Sequence, residues 1–112
     1  MGYYTYYELS IYDQNLKLMT GQHHEDIIKQ LYVLYPESEY AIEETGNPKQ
    51  STKWYNCYDE LKEFSKRFPW LLFRIDEEGE NGDEALTYIK NGKSQYCQIT
   101  KTYEDYDESK LQ

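Results

Sequence analysis

The stretch "WLLFRIDEEGENGDEALTYIKNGKSQYCQI", residues 70–99, decides the fold that the sequence predicts. Its Asn91-Gly92 pair is the preferred sequence for a two-residue type I′ turn between antiparallel strands. That turn places Thr87 opposite Tyr96 on the two arms of a hairpin. The apolar run "WLLFRI" that precedes the hairpin is typical of a central strand buried on both faces.

An alternating segment near the beginning of the chain predicts the first strand. In "YYTYYELSIY", residues 3–12, aromatic and β-branched residues recur with a period of two. The odd-numbered positions share one face, which we expect to pack against helices. Tyr4, Tyr6 and Tyr12 share the opposite face.

Two amphipathic helices are predicted between these strands. Apolar residues follow helical spacing over residues 23–35, and Pro36 ends that segment. A second helix begins after Asn56, whose side chain is suited to capping, and it stops at Pro69. Between the helices, "YAIEE", residues 40–44, predicts a short strand.

This order of elements predicts an α+β domain. We expect a ferredoxin-like βαββαβ sheet with two helices on one face and an extra C-terminal β-hairpin. Residues 1–103 form this single domain, and residues 104–112 form a polar, acidic tail.

Composition restricts the class of partner. The net charge of −9 repels nucleic acid phosphates and anionic membrane surfaces, so we expect neither as a direct partner. No segment is apolar for long enough to span a membrane. The two cysteines are widely spaced and no signal peptide is visible, which predicts a cytoplasmic protein with reduced thiols.

Six carboxylates fall within residues 76–84. A calcium loop beginning at Asp76 requires Gly at its sixth position and Glu at its twelfth, but Asn81 and Thr87 stand there. One interpretation is a solvated loop between strands that end near Ile75 and resume near Ala85. The other is an interface with a basic protein groove that normally takes phosphates. The residues assigned to that interface are Asp76, Glu77, Glu78, Glu80, Asp83 and Glu84.

Tyrosine is the most over-represented residue, with 14 in 112 positions. Tyrosine is common at protein-binding surfaces because it offers a large amphipathic contact at low entropic cost. Tyr4, Tyr6, Tyr12 and Trp54 are therefore predicted anchors for a partner protein or for a homodimer. The alternative is that the C-terminal hairpin curls over these tyrosines and forms a second small core.

Residues able to support catalysis or metal binding are few. His23 and His24 are adjacent near a helix start and point in different directions, so we expect two exposed side chains and no metal site. Cys57 lies at a helix N-terminus, which lowers a thiol pKa, so a Cys57-dependent enzyme stays an alternative. We expect a non-enzymatic protein without cofactor or metal.

The second half of the chain resembles a group of small bacteriophage and prophage proteins. The motifs that carry the resemblance are "KWYNCYDELKEFSKRFPWLLFRI", "EEGENGDE", "YIKNGK" and "DESKL", within residues 53–111. The resemblance implies a phage-type accessory protein and carries over no catalytic residues.

The expected function is binding. The chain is predicted to bind and inhibit or modulate a host protein with a basic surface, in the host cytoplasm if it is phage-encoded. A defence nuclease blocked partly by nucleic acid mimicry is the sharpest version. A small-ligand or nucleotide-binding domain, with a pocket between sheet and loop, is the alternative.

Overall fold

The computed structural model describes residues 4–79 and 84–99, with side chains to residue 97. They form a mixed α+β structure with three helices and one four-stranded antiparallel sheet. The elements in chain order are β1 (Thr5–Tyr12), α1 (Gly21–Leu34), α2 (Glu37–Ala41), α3 (Cys57–Ser65), β2 (Leu72–Gly79), β3 (Glu84–Lys90) and β4 (Lys93–Ile99). The predicted tail at 104–112, and hence the domain limit at 103, lie outside the described residues.

The strands stand side by side in the order β1-β2-β3-β4, and each pair is antiparallel. The α+β class is confirmed, whereas the ferredoxin-like order is not. All three helices fall between β1 and β2, so the described chain runs β-α-α-α-β-β-β. The extra C-terminal hairpin was predicted correctly as β3 and β4.

The segment predicted as a middle strand belongs to the helical layer. Tyr40 and Ala41 end α2, and Ile42 makes only an isolated bridge to Pro48. The Ser38 hydroxyl donates a 2.7 Å hydrogen bond to a backbone carbonyl at the start of the helix. Because Ala41 and Ile42 are fully buried, they contribute to the core through this short helix, and no strand is needed to bury them.

The hairpin has the predicted turn and register. Asn91 and Gly92 both have positive φ, 48° and 79°, as a type I′ turn requires. Thr87 pairs with Tyr96 as expected. The Gly92 N–H also donates a 2.8 Å hydrogen bond to the buried Ser65 hydroxyl, which fastens the turn to the end of α3.

The core lies between the helices and one face of the sheet. The side chains of β1 alternate as predicted, with Tyr7, Leu9 and Ile11 buried. Phe64 of α3 meets Phe73 of β2 edge to face, with ring centroids 5.8 Å apart. Other buried side chains complete the same cluster: Ile27, Ile28, Leu31, Ala41, Ile42, Trp54, Cys57, Leu61, Leu71, Ile75 and Ile89.

Strand β2 is internal but is buried on one face only, so the prediction of burial on both faces is wrong. Phe73 and Ile75 are buried, while Leu72 and Arg74 between them are only partly covered. The reason is that β3 and β4 extend the sheet sideways and do not cover its second face. The alternative in which the hairpin covers the tyrosines is therefore not what β3 and β4 do.

Two of the three helices were predicted. Helix α1 covers the segment predicted at 23–35 except Tyr35, and α3 begins after Asn56 as expected but ends at Ser65, before the limit predicted at Pro69. The Asn56 side chain makes no capping hydrogen bond, so only its position was predicted correctly. In the described ranges, each helix is too short or too polar to cross a lipid bilayer.

Candidate functional site

One face of the sheet has no described helix against it, and we call this surface the open face. The opposite face holds the core residues Tyr7, Leu9 and Ile75. The strand registers place the following side chains on the open face: Tyr6, Glu8, Ser10, Tyr12, Leu72, Arg74, Asp76, Glu78, Glu84, Leu86, Tyr88, Lys90, Lys93, Gln95 and Cys97.

Four carboxylates gather at one end of the open face. Glu78 of β2 stands directly opposite Glu84 of β3, and Asp76 stands opposite Glu8 of β1. Like charges directly opposite each other on a sheet are destabilising, by about 0.2–1 kcal/mol per pair. The fold therefore tolerates a concentration of negative charge that a cationic partner would relieve.

An ion pair at the edge of this acidic group involves Arg74. Its Nε lies 2.9 Å from Asp76 Oδ1, and both side chains are about one-third exposed. The hydrogen bond to Asp76 raises the pKa of the Arg74 guanidinium above its ordinary value. Asp76 is thus partly neutralised within the chain.

Of the three tyrosines predicted for this surface, Tyr6 and Tyr12 lie on it, whereas Tyr4 precedes β1 and has no position in the strand register. Tyr4 and Tyr6 are 50% and 48% exposed, and Tyr12 is partly covered at the far end of β1. The Lys53 ammonium sits 5.1 Å from the centroid of the Tyr4 ring, a cation–π contact that orients the ring. Tyr6 shares its row with Glu78 and so joins an aromatic surface to the acidic group.

The acidic end of the open face is concave. A depression of about 200 Å³ is lined by Tyr6, Glu8, Arg74 and Glu84, with Pro48 at its rim. Concavity and aligned carboxylates together suit a protruding basic side chain such as arginine, whose planar donors match carboxylates. The arrangement offers hydrogen-bond acceptors for binding.

Trp54 was predicted as an exposed anchor, and this prediction is wrong. The side chain is only 2% exposed and meets Tyr7 edge to face at 5.5 Å. Its indole Nε1 donates a 2.7 Å hydrogen bond to Glu60, and its backbone N–H donates to the Tyr7 hydroxyl at 3.4 Å. Burial raises the pKa of Tyr7 to about 12, so this hydroxyl stays neutral inside the core.

Glu77 was grouped with the interface carboxylates, but it points to the helical side of the sheet. Its carboxylate accepts a hydrogen bond from the Tyr58 hydroxyl of α3. Burial raises the pKa of Glu77, and the Tyr58 hydrogen bond acts against that rise. The buried Thr87 hydroxyl makes no hydrogen bond of normal geometry with a described residue, although it lies close enough to Tyr58 to lower the pKa of that phenol. Glu77 is a structural residue, not part of the open face.

The acidic stretch is not a simple loop between strands. Asp76, Glu77 and Glu78 continue β2 as far as Gly79, and β3 already begins at Glu84. The strands therefore extend past the limits predicted near Ile75 and Ala85. Two further carboxylates predicted for the interface, Glu80 and Asp83, lie outside the described residues.

Cys57 was the thiol considered for an enzymatic alternative. It is buried in the core at the start of α3. Burial raises the pKa of the Cys57 thiol well above its ordinary value, and the charges of Glu77 and Glu60 act in the same direction. The expected lowering by the helix N-terminus is therefore reversed, and the thiol is not an activated nucleophile.

Both adjacent histidines were predicted to be exposed, and this prediction is wrong for His24. His23 is exposed, whereas His24 is only 4% exposed and burial lowers its pKa below the ordinary value. A second depression, of about 230 Å³, opens between β1, the loop near Asn47 and the start of α1. His24, Glu25 and Glu8 lie in its wall.

Several open-face residues escaped the sequence-based prediction. Glu8, Arg74 and Tyr88 belong to the same surface as Asp76, but they come from three different strands. The alternation in β1 already placed Glu8 beside Tyr6, so that residue could have been included. The pairing of β1 with β2 gave no signal in the sequence, and it is this pairing that brings Glu8 opposite Asp76.

Within residues 4–79 and 84–99, no three His, Cys, Asp or Glu side chains converge in a way that could hold a metal ion. Comparison of the chain with protein-family models, with curated proteins and with solved structures found no match.

Proposed function

We propose that this chain is a non-enzymatic, acidic accessory protein of the phage type that binds a basic host protein through the open face. In the sharpest form of the proposal, the partner is a defence nuclease whose phosphate-binding groove is occupied by the carboxylates. The protein inhibits or modulates that partner in the host cytoplasm, without a cofactor. Neither nucleic acid nor a membrane is a direct partner.

One observation carries the proposal: four carboxylates from three strands gather at one end of the open face, and only Asp76 among them has an ion pair described above. Glu8 opposes Asp76, and Glu78 opposes Glu84, on a sheet face with no described helix over it. A cationic groove is attracted by such a concentration of carboxylates. In a partner built to bind phosphates, the same groove provides closely spaced arginine and lysine side chains.

The neighbouring tyrosines supply the apolar part of the contact. Tyr4 and Tyr6 are about half exposed, and Tyr6 pairs with Glu78 at the acidic end of the open face. Charged side chains at an interface mainly steer association and set specificity, whereas buried aromatic side chains contribute most of the affinity. We therefore assign register and speed of binding to the carboxylates and tight binding to the tyrosines.

The experiment is affinity capture from host lysate at low salt, followed by identification of the captured protein and binding measurements with it. The test variant combines Glu8→Gln, Glu78→Gln and Glu84→Gln. We expect the captured protein to be basic, its binding to weaken at high salt, and the triple variant to bind it at least about tenfold more weakly. For a nuclease partner, duplex DNA should compete with the chain.

The matched control removes the same number of charges from the helical side, with Glu37→Gln, Glu39→Gln and Glu43→Gln. These residues are exposed and lie in or next to α2, away from the open face. If both triple variants lose the same amount of binding, net charge alone explains the loss, and the assignment of binding to the open face is refuted. Failure to capture any basic protein would remove the proposal.

A small-ligand function is the second candidate, and the depression beside His24 favours it. Thr20, Thr45 and Asn47 supply polar groups there, and the neutral imidazole of His24 forms part of the wall. Glu8 and Glu25 in the same wall repel phosphates, so nucleotides fit poorly and cationic or neutral polar molecules fit better. A thermal-shift screen that finds such a ligand, and loses it in His24→Gln, would support this candidate; a flat screen would exclude it.

A further inference from the structure

The two edge strands of the sheet, β1 and β4, differ in how their outward backbone groups are hydrogen-bonded. Thr5 and Thr52 exchange backbone hydrogen bonds of 2.9 and 3.0 Å across the outer side of β1. Leu9 N–H donates to the Gly46 carbonyl at 2.8 Å on the same side. Ile11 accepts a further 2.8 Å bond from Met19. Connecting segments of the chain therefore cover this edge, as natural proteins commonly do to prevent edge-to-edge association.

Strand β4 forms the other edge, and its outward backbone groups follow from the hairpin geometry. The two-residue turn makes Lys90 and Lys93 a hydrogen-bonded pair, and such pairs alternate with non-bonded pairs along an antiparallel ladder. Ser94, Tyr96 and Gln98 occupy the non-bonded positions, so their N–H and C=O groups point away from β3. No backbone hydrogen bond from the described part of the chain reaches these groups.

The side chains of β4 also set it apart from the rest of the molecule. The strand, Lys93–Ile99, contains no carboxylate, although the chain has 21 acidic residues. Tyr96, on the helical side, is 57% exposed and touches Tyr58 edge to face at 6.4 Å. The edge thus combines backbone groups that no described residue pairs with, an incompletely covered aromatic ring, and a strand without carboxylates.

We propose that β4 pairs antiparallel with β4 of a second copy of this chain, with the two-fold axis at Tyr96. Tyr96 is the central residue of Lys93–Ile99, so this register alone pairs the whole strand. The pairing joins two four-stranded sheets into one sheet of eight strands. The interface is isologous, because both copies use the same strand. The two Tyr96 rings then lie side by side and cover each other.

Charge complementarity supports a second copy as the occupant. The pairing sets Lys93 of one copy opposite Ile99 of the other, and Ile99 is itself paired with Glu84. Neighbouring strands are about 4.8 Å apart, so Lys93 lies two strands, or roughly 10 Å, from Glu84 at the acidic end of the other copy's open face. The strongly negative chains therefore meet where their local charges are opposite.

The dimer has a geometric consequence for binding. A two-fold axis normal to the sheet keeps both helical layers on one side, so the two open faces form one continuous surface on the other. The inference does not depend on the proposed function, because the edge of β4 and the open face are different surfaces. A monomeric protein would still present one open face to a partner.

The first test measures the mass of the full chain in solution by light scattering and sedimentation equilibrium. We expect a concentration-dependent species of about twice the 13.6 kDa of one chain. Ser94→Pro and Tyr96→Pro should each give a monomer, because proline removes an outward N–H while leaving the bonds to β3 in place. Tyr96→Phe, the matched control, should stay dimeric, and circular dichroism should show that all three variants are folded.

The second test checks the register. Gln95 faces Cys97 of the second copy in a non-bonded pair, where Cα atoms are about 4.5 Å apart and a disulfide fits. With diamide as the oxidant that takes up the two electrons, Gln95→Cys should form a disulfide-linked dimer through Cys97. Gln95→Ser should form none by this route.

The third test addresses charge. Lys93→Glu should weaken the dimer about threefold, because at each end of the strand pair it replaces an attraction to Glu84 of the second copy by a repulsion across roughly 10 Å. Lys17→Glu makes the same charge change on an exposed loop and should have little effect. A chain that stays at 13.6 kDa at every concentration overturns the proposal, as does a dimer that survives both proline substitutions.

Discussion

The Tyr58 hydroxyl donates a hydrogen bond to the Glu77 carboxylate, and this contact ties α3 to β2. Glu77 belongs to a run of acidic residues, yet it is the one that points under the helix. Burial raises the pKa of both groups. The pair therefore stabilises the packing of helix on sheet only as long as the carboxylate keeps its donor.

Removing that donor should cost stability. Tyr58→Phe leaves the Glu77 carboxylate half-buried without its hydrogen bond, and a bond to a charged group contributes about 1.5–3 kcal/mol. We expect the free energy of unfolding at pH 7 to fall by that amount in urea denaturation. Tyr55→Phe removes a hydroxyl from an exposed ring nearby and should change stability by less than about 0.5 kcal/mol. Equal effects would show that the contact is unimportant.

The free energy of unfolding should depend on pH in part through the protonation of Glu77. Its pKa is raised in the folded state above the ordinary value of 4.5, so the folded protein holds this proton more tightly than the unfolded chain does. The stability linked to this group is present at low pH and is lost as pH rises through the raised pKa. Glu77→Gln should therefore be more stable than the parent at pH 7, because the amide still accepts from Tyr58.

That advantage should shrink as the pH is lowered below the raised pKa, where the parent carboxyl is also neutral. Urea denaturation at pH 7 and near pH 4 measures it. Glu39→Gln, at an exposed helical position, is the control and should show no comparable crossover. A Glu77→Gln protein that is less stable than the parent at pH 7 would contradict the assigned direction.

The two thiols should differ in reactivity. Cys57 is buried and its pKa is raised well above the ordinary value, whereas Cys97 is partly exposed. At neutral pH, iodoacetamide should modify Cys97 first, and the native Cys97→Ser protein should react many-fold more slowly than the same protein in urea. Mass spectrometry of peptides gives the site. Rapid labelling of Cys57 in the folded protein would revive the enzymatic alternative.

Two glycines with similar backbone angles should respond differently to alanine. Gly46 has φ of 89°, and a Cβ there would strike the Leu9 carbonyl oxygen. Gly21 has φ of 79° with open space around it. We expect Gly21→Ala to cost about 1 kcal/mol through backbone strain alone and Gly46→Ala to cost more than about 2 kcal/mol. Thermal unfolding compares the two variants. Equal losses of stability would show that the contact between Gly46 and the Leu9 carbonyl is not the cause.

The sequence predicted best where a local rule acts without competition. Asn91-Gly92 requires positive φ at both positions, and that alone gave the turn and the pairing of Thr87 with Tyr96. The alternation in β1 likewise placed Tyr7 inside and Tyr6 outside, since one face of the strand had to be buried. These elements need no information from distant parts of the chain.

The sequence predicted poorly where tertiary contacts decide. Trp54 lies in a polar segment, which suggested an exposed side chain. The structure buries it, because it packs against Tyr7 of β1 and donates a hydrogen bond to Glu60 of α3. The acidic residues Asp76 and Glu78 have low strand propensity, yet pairing with β1 keeps them in β2. That pairing joins the two halves of the chain, and no pattern within either half encodes it.

The placement of all three helices between β1 and β2 has a consequence for how the chain assembles. The meander of β2, β3 and β4 closes through short connections, whereas β1 docks only after a loop containing every helix has closed. On the ribosome, β1 is made first and then waits for β2. Until β2 pairs with it, the tyrosine-rich segment β1 lacks the hydrogen bonds that β2 supplies. The rate at which β1 and β2 pair therefore determines how long the nascent chain can aggregate through this segment.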